Sequence, residues 1–157
     1  MSYFIFKYLH ILGACVLFGT GMGIAFFMFF AVRSKSVEVI ASVAPLVVLA
    51  DYMFTLTAVL VQPITGALLV HGVGYSFFDH WVLLSIVLYI FIGICWIPVV
   101  FMQIEMKNIA LQASAMGDAL PERFHTLYKR WFILGWPAFL SIIIIFALMI
   151  EKPVALF

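Results

Sequence analysis

Four apolar runs, each long enough to cross a bilayer, leave this chain few folds to adopt. A helix needs about 20 apolar residues to cover roughly 30 Å of hydrocarbon. The runs cover about Phe4 to Val32, Val43 to Val70, Trp81 to Met102 and Trp131 to Ile150. Composition supports lipid as the solvent. Of 157 residues, 67% are hydrophobic and 10% are charged, against about 45–50% and about 25% in soluble domains. A short chain leaves much of its surface uncovered and cannot hide such an excess in a core. The expected fold is therefore all-α, a polytopic four-transmembrane-helix bundle forming one integral membrane domain. Its helices are placed at about 4–32, 43–70, 81–106 and 131–150. Residues 107–130 are placed in a loop, in which Gly117-Asp118 reads as a turn and Pro121-Glu122 as the start of a further short helix. The first run is too long for a signal-peptide core and no A-x-A site follows it, so it is expected to stay as a helix.

The few charges fix an orientation. Four spans put the first and third connections on one side. That side holds Arg33, Lys35, Lys107, Arg123, Lys129 and Arg130, whereas Lys7 and Lys152 lie on the other. Basic residues favour the cytoplasmic side of short loops. Both termini and the 71–80 connection are thus expected outside, in a multi-pass protein of the cell inner membrane. Trp81, Tyr128 and Trp131 fall near span ends, where aromatic belts form. A net charge of +1 offers no basic patch for nucleic acid. Cys15 and Cys95 lie within apolar runs and read as small packing residues.

Ionisable groups inside lipid are costly, so each is a candidate for function. His10 lies about two turns into the first helix, with Lys7 before it and Gly13 and Ala14 after it on the same face. Small residues beside a histidine give a flat ring access to the backbone, as an axial haem ligand requires. The competing reading is a histidine bonded to a neighbouring helix, with Gly13, Gly19 and Gly23 serving close packing. His71 and His80 flank the outer connection and share a membrane side with His10. Bundles hold cofactors with ligands from facing helices, which makes His10 and His71 a candidate pair for haem iron and His80 the spare. The competing reading makes His71 and His80 solvated loop residues. Asp51, two turns inside the second run, needs a partner or a proton. Arg33, Lys129 and Arg130 are its candidate partners, and a proton relay is the alternative. Pro63, after Gln62, removes a backbone donor and frees a carbonyl.

The stretch Phe6-Lys7-Tyr8-Leu9-His10-Ile11-Leu12-Gly13 resembles the Lys-x-x-His-x-x-Gly opening of a family of small, largely uncharacterised bacterial integral membrane proteins. Gln62-Pro63-Ile64-Thr65-Gly66, Trp96-Ile97-Pro98-Val99-Val100 and Leu148-Met149-Ile150-Glu151-Lys152-Pro153 resemble that family too, so the likeness covers nearly the whole chain. More distantly, the opening is similar to HemJ-type protoporphyrinogen oxidases and to CopD-like membrane proteins. The HemJ likeness implies b-type haem held by the first-helix histidine, matched here by His10. That family also uses a lysine after a tryptophan-led helix start. Trp81-Val82-Leu83-Leu84-Ser85 has none, so the resemblance carries haem ligation rather than the oxidase reaction.

Three functions compete on these residues. One is a haem b- or tetrapyrrole-binding protein with a redox role near the outer face, a candidate haem-dependent oxidoreductase. Another is a non-enzymatic partner or assembly subunit, for which Gly19-x-x-x-Gly23 suits helix association. The third is a small transporter or ion pathway using Asp51, Gln62 and the outer histidines His71 and His80. The expected partners are the lipid bilayer and either a second copy of the chain or a membrane redox protein.

Overall fold

The computed structural model describes residues 2–152, and the described residues form helices and short connections without a strand. Helix α1 is Ser2–Arg33. Helix α2, Val37–Ala50, runs through a π-turn at Asp51–Thr55 into α3, Leu56–Val73. Helix α4 is His80–Met116 and α5 is Glu122–Glu151. Counting Val37–Val73 as one rod, four helices are long and apolar enough to cross a membrane. The protein is an all-α four-helix membrane bundle. Both ends of the described chain and the 74–79 connection share one face, the terminus face. The 34–36 and 117–121 connections share the opposite, basic face.

The turn chemistry is legible. Ser36 caps α2 by accepting from the Val39 N–H at 3.2 Å, a usual serine role. Gly74 and Gly117 end α3 and α4 with φ of +84° and +70°. The next residues close the terminal turns, Tyr75 donating to Val70 O and Asp118 to Ala113 O. This is the Schellman ending that glycine favours.

The helices exceed the expected spans. The second rod starts at Val37 rather than 43, and residues 107–130 are not a loop. Helix α4 continues to Met116, and α5 starts at Glu122 and runs unbroken through Trp131, so the separate short helix is absent and only 117–121 connect them. At 1.5 Å per residue α4 reaches about 55 Å, well beyond the roughly 30 Å of hydrocarbon. The reason lies in the sequence. Met106, Ala110 and Ala113 recur at helical spacing on one side of α4, and Phe124, Leu127 and Trp131 do so on α5; all are buried. These extensions meet Ile24, Met28 and Ala31 of α1 and Ile40, Ala41, Ala44 and Val47 of α2 in the main apolar core. Arg123 pairs with Glu105 across α4 and α5 at 2.7 Å, both exposed, a contact of little energetic weight.

Packing toward the terminus face is sparser. Trp81, Val82 and Leu148 form a small cluster with Val70, Leu88 and Met149 against it. Helix α1 lies along α3, and α4 along α5. One hydrogen bond joins the two pairs there: Tyr89 Oη donates to Val59 O at 2.5 Å. Val59 is four residues before Pro63, whose missing N–H leaves that carbonyl without its helical donor. Tyr89 therefore supplies what Pro63 removes. Trp81 and Trp131 are buried, so they face into the bundle rather than forming an outward belt.

The Tyr89→Phe variant should leave the Val59 carbonyl unsatisfied and cost about 1 kcal/mol. A thermal melt in detergent should show a lower midpoint than for Tyr52→Phe, whose side chain is exposed. Equal midpoints would remove Tyr89 as the carbonyl's partner in stability.

Candidate functional site

His10 sits where α1 crosses α3, and its ring is pressed onto the α3 backbone. Gly66 makes room: a methyl group there would stand 3.2 Å from His10 Cε1. Gly13 does the same from the other side, for a methyl on it would reach 2.9 Å from Gln62 Nε2. The buried Gln62 amide donates to His10 O at 2.9 Å. His10 Nδ1 lies 2.9 Å from Thr65 Oγ1. Thr65 is itself buried, and its hydroxyl reaches Val61 O at 2.9 Å and Gln62 O at 3.2 Å.

This geometry assigns the tautomer. A threonine hydroxyl has one proton, and a helix carbonyl within reach takes it. Thr65 Oγ1 then accepts from His10, which puts the imidazole proton on Nδ1 and leaves the Nε2 lone pair free. Nε2 makes no hydrogen bond among the described residues and is not sealed off by them. A ring with one nitrogen anchored and the other open has the arrangement of a metal-ligating histidine. It is equally a strong joint between two helices.

The pairing of His10 with His71 is not assembled. His71 lies about five and a half residues beyond the Thr65–Gly66 contact, which is about 8 Å of rise and about 190° of rotation along an α-helix. It therefore points away from α1, and it is exposed. His80, at the start of α4, is exposed as well. No group of three His, Cys, Asp or Glu side chains able to hold a metal forms among the described residues. The described residues thus bring one histidine, His10, to the seam with a ring nitrogen available to haem iron, and they do not set His71 beside it. Lys7 is exposed and lies over the Tyr3 ring at 5.9 Å, apart from the joint.

A second polar centre lies nearer the basic face, at the π-turn. Asp51 is 4% exposed and pairs with none of Arg33, Lys129 and Arg130, because Arg123–Glu105 is the ion pair found among the described residues. Its partners are neutral. Trp96 Nε1 donates to Oδ1 at 3.2 Å. With the Gln103 amide in the orientation that satisfies both its ends, its nitrogen donates to Oδ2 at 3.2 Å and its oxygen accepts from Trp131 Nε1 at 3.0 Å. The network ties the second rod to α4 and α5. Sequence reasoning singled out Asp51 and Gln62. It missed Thr65, Gln103 and the inward indoles of Trp96 and Trp131. The available signal was polarity: Gln103 is an amide at the edge of an apolar run, as Gln62 is within one. Of the two cysteines, Cys95 is buried and Cys15 exposed.

The family model for predicted integral membrane proteins designated DUF2269 matches residues 4–153. The chain belongs to this family. No curated protein and no solved structure matches it. Membership makes this DUF2269 chain an integral membrane protein, with the family model covering nearly its full length. Pro153, the end of the 148–153 segment, lies outside the described residues.

The seam between α1 and α3 should be sensitive to bulk at its glycines. Gly66→Val would drive atoms into the His10 ring, an overpacking that costs about 1–3 kcal/mol. Gly135→Val, at an exposed glycine with nothing within 4 Å, should melt near the native midpoint. A Gly66→Val protein as stable as Gly135→Val would contradict the close seam.

Proposed function

We propose that this membrane protein binds a b-type haem with His10 as an axial ligand and serves a redox role. The observation that carries the reading is the hydrogen-bond chain from His10 Nδ1 through Thr65 Oγ1 to a helix carbonyl, which favours the proton on Nδ1 and leaves the Nε2 lone pair available. A hydrogen bond on the far nitrogen fixes a ligating ring and raises its basicity. When bound, the haem would supply one-electron chemistry. Thr65 would hold the ring in register, and Gly66 and Gly13 would keep α1 close enough for that bond. The excess of Lys and Arg on the basic face supports that face as cytoplasmic, which puts His10 toward the outer side of the inner membrane.

A second reading, a partner or assembly subunit, has its own observation. Gly19 and Gly23 have nothing within 4 Å of where a side chain would begin, and Gly19 is exposed. On α1 they lie on the side opposite His10, so the Gly19-x-x-x-Gly23 spacing serves no close contact among the described residues. A stripe of that kind suits close approach of another transmembrane helix. The bilayer, a second copy and a membrane redox partner are the surroundings these two readings call for.

An absorption spectrum of the detergent-purified protein, oxidised and then reduced with dithionite, tests the first reading. A Soret band with sharpened α and β bands is expected, absent in His10→Ala. Thr65→Val should weaken haem retention about 10–100-fold, the usual effect of losing such a supporting bond. A featureless spectrum after haem supplementation, or a normal one in His10→Ala, would end the cytochrome reading. Cross-linking in membranes tests the second: Gly19→Leu with Gly23→Leu should abolish any dimer or stable complex formed by the native chain.

A further inference from the structure

We propose that Asp51 is a proton-binding site within the bundle, its carboxyl group carrying a proton that it can give up. Three observations point there. The carboxyl group is buried and has no cation at ion-pair distance among the described residues. Both of its oxygens already accept from neutral donors, Trp96 Nε1 and the Gln103 amide. The Thr55 hydroxyl, buried in the same π-turn, finds no partner at hydrogen-bonding geometry.

Together they describe a group able to exist in two protonation states with little rearrangement. An unpaired buried carboxylate is unfavourable, and it ordinarily neutralises. Two hydrogen bonds to the ionised form oppose that cost with a comparable gain, so neither form dominates overwhelmingly. The neutral form adds one O–H donor, and Thr55 Oγ1 is an unused acceptor for it. A metal cation is the poorer occupant, since hard cations take six or more oxygen ligands and the carboxyl and Thr55 are the oxygens gathered here. Asp51 and Thr55, four residues apart, share one side of the helix, and they bound a π-turn in which the Leu56 N–H bonds to Asp51 O, five residues back; such turns recur at functional positions in helices. A shallow pocket of about 50 Å³, with a wholly apolar surface, is lined by Asp51, Tyr52, Leu56, Trp96 and Val100.

The electrostatic surroundings are quiet. Helix α1 carries no charged residue between His10 and Arg33, α2 none between Glu38 and Asp51, and α3 none from Leu56 to Val70. Helix α4 carries none between His80 and Glu105, and brings Cys95 beside Trp96. Helix α5 brings Trp131 with Tyr128 stacked on it, and Lys129 and Arg130 just before it, both exposed. Tyr52 is the remaining titratable neighbour, in the π-turn itself and exposed.

Infrared spectroscopy of the full chain in lipid vesicles, in H2O and D2O, reads the carboxyl group directly. Glu38, Glu105, Asp118, Glu122 and Glu151 are at least partly exposed, as is Asp79, whereas Asp51 is buried, and the Asp51→Asn variant assigns the band. The expected result is a protonated-carboxyl C=O band at neutral pH that shifts in D2O, fades reversibly at alkaline pH and is lost in Asp51→Asn. Thr55→Val, which keeps the carboxyl group, should retain the band and move it to higher frequency. Absence of the band, its persistence in a folded Asp51→Asn protein, or its indifference to pH would each overturn the proposal.

Discussion

Lipid gives helices no hydrophobic reason to meet, and the arrangement of this bundle follows from that constraint. Inside a bilayer, an apolar side chain is as well solvated by acyl chains as by another helix, so association rests on close backbone approach and hydrogen bonds. The contacts through the apolar spans are of that kind. Gln62 bonds to the backbone of α1 at His10, Thr65 anchors the His10 ring, and Gly13 and Gly66 let the two helices come together. Tyr89 joins α4 to α3. Trp96 and Gln103 join α4 to the second rod through Asp51, and Trp131 brings in α5. Each helix is tied to another by a polar group that would be costly to leave alone.

The one sizeable apolar core fits the same logic. It gathers where α4 and α5 run past the length that hydrocarbon requires, among Met106, Ala110, Phe124 and Leu127. There the outer faces carry Glu105, Lys107, Arg123, Lys129 and Arg130, and water restores the driving force for burial. The bundle thus uses two modes of cohesion along its length. Toward the terminus face, where the apolar cluster is small, polar joints bear a larger share of the packing.

Fold class was legible because length and hydropathy alone identify a spanning helix, and the capping glycines at 74 and 117 marked their ends. The ends of α4 and α5 were harder to read, since a hydropathy threshold stops at the first cluster of charges. The helical spacing of Met106, Ala110 and Ala113, which continues through those charges, is the better guide. The sites were legible by half. A sequence names the polar residues in lipid, His10, Asp51 and Gln62, because their cost singles them out. It does not name their partners, which depend on the rotation of one helix against another. Thus Asp51, near basic residues in the sequence pattern, is held by two neutral donors. His71, on the same membrane side as His10, is turned to the opposite face of α3 by helical phase.

The two polar centres differ in what they leave unfinished, and this separates structural groups from candidates for chemistry. Gln62 and Gln103 are spent: the first on His10 O and the second between Asp51 and Trp131. Tyr89 is likewise matched to the carbonyl that Pro63 frees. His10 keeps a free lone pair after its anchoring bond, and Asp51 keeps an unused acceptor beside it in Thr55. A group serving cohesion alone gains nothing from such leftovers, because a buried polar atom without a partner lowers stability. The surplus at Thr55 is the plainer case, since its hydroxyl is enclosed and a valine of the same shape would fill the position without an orphaned oxygen. In a chain whose other polar groups within the apolar spans are so consistently paired, that unpaired hydroxyl next to an uncompensated carboxyl group marks the π-turn as more than a helix joint.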